Sequence, residues 1–109
     1  MRGSAPAPSL RGAALTLLSR RDYTTHELRS KLVERGHPQD DIDQLIPELT
    51  AAGALDDRRV AASHVRTATA IKGRGRMRIA RELTARGISS ALATEALSAV
   101  EKPDQAAAI

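Results

Sequence analysis

The sequence predicts an all-α protein of six helices, arranged as two tandem three-helix repeats. Three observations carry that reading. Apolar residues recur at helical spacing in six separate segments, and none reads as a strand. Capping residues and glycines bracket those segments. The second half also repeats the first. A shift of about 51 residues lays Leu28 on Ile79, Leu32 on Leu83, Arg35-Gly36 on Arg86-Gly87, Leu45 on Ala96, Ile46 on Leu97 and Leu49 on Val100.

The first helix is read from Leu10, Ala13, Ala14, Leu17 and Leu18, which follow i, i+3, i+4, i+7, i+8. It ends near Ser19-Arg20-Arg21-Asp22, where cations suit a C-terminus. Thr24 and Glu27 form a capping box for the second helix, with Leu28 and Leu32 inward, Val33 beside them, and Gly36 at the end. Asp40 is expected to cap the third helix, which carries Ile42, Leu45, Ile46 and Leu49 and stops at Gly53. Pro47 lies inside that pattern, so the helix should either kink there or start late. Asp56 caps the fourth helix, with Val60, Ala61, Val65 and Ala68 on one face as far as about Ile71. The fifth runs from the basic stretch beginning at Lys72 to Gly87, with Met77, Ile79, Ala80 and Leu83 inward and Arg74, Arg76, Arg78 and Arg81 in water. Ser89 caps the sixth, with Leu92, Ala93, Ala96, Leu97 and Val100 inward, and Lys102-Pro103 stops it. The resulting organisation is a disordered lead over 1–9, repeats over 10–53 and 54–101, and a tail over 102–109.

Composition narrows the function classes. With no Phe or Trp and one Tyr, the core must come from Leu, Ile, Val and Ala, which bury modest area per residue. A net charge of +4 favours acidic partners, nucleic acid among them. A small Lys/Arg excess that merely aids solubility is the bland alternative, and the clustering of the charge tips the balance. The absence of Cys removes disulfides, thiolate zinc sites and thiol chemistry, and is consistent with a cytoplasmic setting. No apolar run approaches the ~18 residues that span a bilayer, and nothing resembles a signal peptide.

Few residues invite catalysis. His26, His37 and His64 are scattered between a cap, a turn and a helix. Asp40-Asp41 and Asp56-Asp57 sit at helix starts, where capping accounts for them. The serines lack a Gly-x-Ser-x-Gly setting. No catalytic residue, metal site or cofactor is assigned. The basic stretch is different. Its arginines crowd a helix N-terminus that is already positive, which suggests a negative partner. A flexible linker with solvated arginines is the alternative. Gly73-Arg74-Gly75 leads into a helix start that can hold an anion, but without a preceding strand it is no nucleotide loop. Tyr23 alone provides no platform for stacking single-stranded bases. Direct DNA binding would therefore be phosphate-driven, salt-sensitive and weakly specific.

Several motifs together resemble the RecX recombination regulators. They are Glu27-Leu28-Arg29-Ser30-Lys31-Leu32 with Arg35-Gly36, the junction Gly53-Ala54-Leu55-Asp56-Asp57-Arg58-Arg59-Val60-Ala61, and Gly75-Arg76-Met77-Arg78-Ile79-Ala80-Arg81-Glu82-Leu83 with Arg86-Gly87-Ile88. The similarity covers about residues 12–100. It implies an elongated, curved, all-α modulator that is not an enzyme. Such proteins bind the RecA–single-stranded DNA filament in its groove and restrain its ATPase and strand exchange. On that reading Lys72, Arg74, Arg76, Arg78 and Arg81 match the family's basic stretch and face acidic filament surfaces or DNA phosphates. Arg58, in the junction, joins the set. Asp56 and Asp57 are caps first and contacts second. The chain departs from the family in lacking aromatics at Ala54 and near Val60 and His64, in Pro47, and in ending after two repeats where the family usually has three. The expected protein is a monomer with no membrane contact. A direct DNA-binding module and a scaffold for some other acidic protein are the competing classes.

Overall fold

The computed structural model describes residues 9–71 and 73–101. The expected lead and tail, Ser9 and residues up to 101 apart, lie outside the described residues, as does Lys72. Six helices follow in order: α1 (Leu10–Arg20), α2 (Thr25–Glu34), α3 (Gln39–Ala51), α4 (Asp57–Thr69), α5 (Arg76–Ala85) and α6 (Ser90–Glu101). No strand occurs among the described residues.

Local chemistry sets the boundaries. Ser9, Thr24 and Asp56 each accept a backbone N–H of the helix they start, and Ser89 Oγ accepts from Leu92 N–H at 3.2 Å. Three helices end in the same way. Gly36, Gly53 and Gly87 adopt φ of +91°, +81° and +88°, and the residue after each returns its N–H to Leu32, Leu49 and Leu83 respectively. Ile88 thereby drops onto Leu83 and joins the core.

Some expectations need correction. Asp40 does not cap α3. The helix starts at Gln39 behind Pro38, whose extended backbone makes it the N-cap, with no side-chain hydrogen bond. Nor does the helix start late or break at Pro47; it runs continuously through it. The carbonyl that Pro47 cannot serve belongs to Asp43, and both residues are exposed, so water can take the lost bond. Helix α4 stops at Thr69, two residues short of Ile71. Met77 and Val33 lie outside the core, 72% and 47% exposed. Met77 stands two residues before Ile79, about 200° around the helix from the buried face.

Two cores form. Ala13, Ala14, Leu17, Tyr23, Leu28, Leu32, Ile42, Leu45, Ile46, Leu49 and Leu55 make the first; Ala61, Val65, Ala68, Ile79, Leu83, Ile88, Ala93, Ala96 and Leu97 make the second. Substantial helix packing stays within α1–α3 and within α4–α6. Hydrogen bonds and ion pairs tie the two units together. Thr24, fully buried, donates Oγ1–H to the carbonyl of Arg86 at 2.6 Å while accepting Glu27 N–H at 3.0 Å. Arg86 caps α5 and donates through Nε and Nη2 to the Glu27 carboxylate at 2.9 and 3.1 Å. Asp57 Oδ1 accepts both Thr25 N–H and Thr25 Oγ1–H, at 2.8 and 3.1 Å. Arg59 reaches Asp22 with two nitrogens, at 3.0 and 3.3 Å. Asp56 therefore caps its own helix, whereas Asp57 reaches across to the first turn of α2.

The joint biases Glu27. Burial is the largest single influence and opposes its ionisation. The hydrogen bonds from Arg86 and Thr24 N–H, with the charges of Arg86 and Arg21, outweigh burial and hold the carboxyl below its ordinary range. Reciprocally, the hydrogen bond to Glu27 raises Arg86.

Gly36 and Gly87 allow the joint to be weighed separately from backbone strain. A Cβ on Gly36 would meet nothing within 4 Å, while one on Gly87 would lie 2.2 Å from His26 Cβ. Gly36→Ala is expected to cost about 1–2 kcal/mol in urea unfolding, from the left-handed backbone alone. Gly87→Ala is expected to cost clearly more and to change the inter-unit angle seen by small-angle scattering. Equal costs would mean that the Gly87–His26 contact is immaterial.

Candidate partner-binding surface

The repeat is not uniform in length. From Ser9 to Thr24, the N-caps of α1 and α2, is 15 positions; from Asp56 to Gly75, the N-caps of α4 and α5, is 19. The spacing between the second and third caps is the same in both units. Four additional residues thus fall at the end of α4 and in the loop after it, where Lys72 and Arg74 stand. The second unit is longer at the place where its charge is concentrated.

That loop lands on α5 with Gly75 as N-cap and no side-chain capping bond. Gly75, Arg76, Met77, Arg78 and Arg81 are all exposed. Arg78 and Arg81 share one face of the helix, three residues apart. Arg74 behaves differently from the expectation that it stays in water. Its side chain is only 22% exposed, and its Nε lies 3.5 Å from Glu82 Oε2. Arg78 Nε approaches the same oxygen at 3.4 Å, while His64 Nε2 shares a hydrogen bond with Oε1 at 2.9 Å. Arg74 Nε is buried and lacks a true hydrogen-bond acceptor.

Glu82 is therefore the internal counter-ion that the sequence reading missed. The hydrogen bond with His64 does most to lower its carboxyl pKa; desolvation opposes this, and the charges of Arg74, His64 and Arg78 reinforce it. Part of the negative compensation inferred for the α5 N-terminus comes from within the unit. The outward members, Arg76, Arg78 and Arg81, remain a basic face. Signals for Glu82 were present in its spacing, four residues beyond Arg78, but His64 comes from a different helix and nothing local announces it.

Arg58 does not join this face. It bonds Glu95 on α6 through Nε and Nη2, at 2.5 and 3.3 Å, and that hydrogen bond raises its pKa. It lines a shallow groove with Thr25, Thr50 and Asp57 at the joint. Arg11 pairs with Glu48 in the first unit in a similar way, from the first helix to the third. No group of three or more metal-ligating side chains gathers among the described residues. No helix there is long and apolar enough to cross a membrane.

The lowered Glu82 carboxyl has a signed consequence. Its contribution to the folded state is complete above the ordinary glutamate range and is lost as pH falls through its depressed folded value. Amide exchange in residues 73–75 is expected to accelerate, relative to α6, as pH drops below about 4. In Glu82→Gln the loop should exchange faster at neutral pH and lose that acid dependence. An unchanged acid dependence in the variant would assign it to another group.

Comparison with known proteins agrees with this architecture. Residues 11–49 match the family description "RecX, first three-helix domain" and residues 56–97 match "RecX, second three-helix domain". The chain is 45% identical over 94 residues to the regulatory protein RecX of Chromohalobacter salexigens, covering 86% of this chain and 60% of that protein. It is 36% identical over 91 residues to the regulatory protein RecX of Mycobacterium ulcerans, covering 84% and 53%. A crystal structure of RecX from Lactobacillus salivarius superposes with a TM-score of 0.77 at 31% identity, covering 81% of this chain and 57% of that one. The chain thus spans a little over half the length of these relatives. Two matched three-helix domains, a shared fold and this identity over most of its residues make the chain a member of the RecX family.

Proposed function

We propose that this chain is a negative regulator of homologous recombination that binds the RecA–single-stranded DNA filament and restrains its ATPase and strand exchange. Its membership of a family of regulatory proteins supports that reading. The observation that carries it to particular residues is the exposed basic face of Arg76, Arg78 and Arg81 on a helix anchored by Ile79 and Leu83. Lys72 belongs to the same stretch and lies outside the described residues. The fold does not demand these charges, because the equivalent helix α2 starts with a capping box. Arg74 serves the face by bracing the loop on Glu82, and Arg58 braces α4 on α6. The action is by binding, as a cytoplasmic monomer, without catalysis or cofactor.

A second reading is direct DNA binding through phosphates. The bare α5 N-terminus favours it, because backbone N–H groups beside arginines suit an anion.

In a RecA ATPase assay on single-stranded DNA, saturating chain is expected to slow hydrolysis. Arg76→Glu/Arg78→Glu/Arg81→Glu together should raise the concentration needed by roughly 10- to 100-fold, at about 0.5–1 kcal/mol per exposed charge contact. Uninhibited hydrolysis with a folded chain at saturation would refute the filament reading. Filament-independent DNA binding with a steep salt slope, lost in the same variant, would favour the second.

A further inference from the structure

Four arginines in this chain share one habit. Arg29, Arg58, Arg59 and Arg86 each present the fork of Nε and Nη2 to a carboxylate, those of Asp43, Glu95, Asp22 and Glu27 respectively. Arg21 does not. Its guanidinium carbon lies 3.8 Å from the centre of the Tyr23 ring, and its Nη1 donates to the Asp22 carbonyl at 3.0 Å. The same Nη1 approaches Glu27 Oε1 at 3.6 Å, too far for a hydrogen bond. The Nε/Nη2 fork of Arg21 has no acceptor among the described residues. Stacking on Tyr23 restrains the guanidinium plane and leaves the donors in that plane available.

Arg21 stands in the wall of a cleft of about 320 Å³ between the link from α1 to α2, the flank of α4 and the end of α5. Helix α4 contributes Ser63 and Thr67 to it, four residues apart on one exposed face. Thr50 and Thr69 turn their hydroxyls back onto carbonyls four residues earlier, those of Ile46 and Val65. The hydroxyls of Ser63 and Thr67 make no such bond among the described residues. The other charged groups of the wall are already engaged: Asp22 by Arg59, and Arg86 by Glu27. His64 shares its Nε2 with Glu82. One cation, Arg21, is therefore left to meet a ligand. A nucleic-acid strand would bring a further phosphate past Asp22 and Glu27 every ~3.4 Å of helix axis, which a single spare cation does not balance. One carboxylate matches the cleft in charge.

We propose that this cleft is a docking subsite for a single carboxylate side chain, Asp or Glu, of a partner protein. The Nε/Nη2 fork of Arg21 binds the two carboxylate oxygens, and the hydroxyls of Ser63 and Thr67 donate to them. The subsite lies at the joint between the units, apart from the basic face of α5, and does not rest on the RecA reading.

The probe is a capped Ala-Glu-Ala peptide, with Ala-Gln-Ala as its neutral counterpart, titrated into the full chain and followed by nitrogen-15 NMR. The Glu peptide is expected to move the Arg21 Nε–H signal and the Ser63 and Thr67 amides saturably, and the Gln peptide is not. Arg21→Lys keeps the charge but loses the fork, and should weaken binding roughly tenfold. Because Arg21 also rests on Tyr23, Thr67→Val supplies a variant outside the joint. It should weaken binding roughly threefold and leave the Thr24 and Gly87 amides in place. Equal shifts with the Gln peptide overturn the proposal, as does undiminished binding by Arg21→Lys, which would make Arg21 a solvated cation only. Shifts confined to Arg78 and Arg81 overturn it too. A short DNA duplex that moves the Arg21 and Ser63 signals where the Glu peptide does not would assign the cleft to phosphates and equally overturn it.

Discussion

Thr24 sits where three helix ends meet. The first turn of α2 brings backbone N–H groups into a space closed to water, and the last turn of α5 brings a carbonyl. Each such group, left unpaired, costs on the order of 1–3 kcal/mol. The side chains there meet that demand across the joint rather than within one helix. Thr24 serves its own helix and the Arg86 carbonyl, Glu27 serves Thr24 N–H and the Arg86 guanidinium, and Asp57 serves Thr25. Satisfying the end of one helix thus fixes the position of another. The relative placement of the two units, and with it the direction in which the basic face points, follows from that one requirement.

The charge of the second unit has a complementary logic. A cationic helix start is unfavourable by the macrodipole, and a longer loop adds entropy to be lost on ordering. Glu82 answers both. It draws Arg74 from the loop and Arg78 from the helix to one carboxylate oxygen and adds His64 from α4. Its 26% exposure leaves these pairs less screened than those at the rim. The loop is thereby held against its own helix, and the remaining arginines project from a supported surface.

Much of the fold was legible because its determinants are local. Apolar spacing located six helices, and Thr24, Asp56, Ser89, Gly36, Gly53 and Gly87 marked their ends correctly. Errors arose where a neighbouring element decides. Asp40 looked like a cap, but Pro38 has the extended backbone that starts the helix two residues earlier. Met77 looked apolar enough to bury, but its azimuth puts it in water. Tyr23, which alone offers no stacking platform, is 7% exposed and packs in the first core under the Arg21 guanidinium, a place the sequence reading did not assign it. For the candidate surface, the sequence showed the arginines but not their sorting. Arg58 and Arg74 are committed to Glu95 and Glu82, and those pairings span 37 residues and a loop turn, beyond the reach of periodicity.

The polar character of the joint separates two kinds of softness in this molecule. Unfolding either core exposes leucine and isoleucine and so carries the large positive heat-capacity change of apolar hydration. Parting the joint also exposes carboxylates, guanidinium groups and hydroxyls, whose hydration contributes with the opposite sign. Protonating Glu27 removes the charge that Arg86 and Thr24 N–H share, so acidity acts on the joint, while temperature acts on the integrity of each unit. A change in acidity can thus act on the angle between the units through one carboxylate, without drawing on either core.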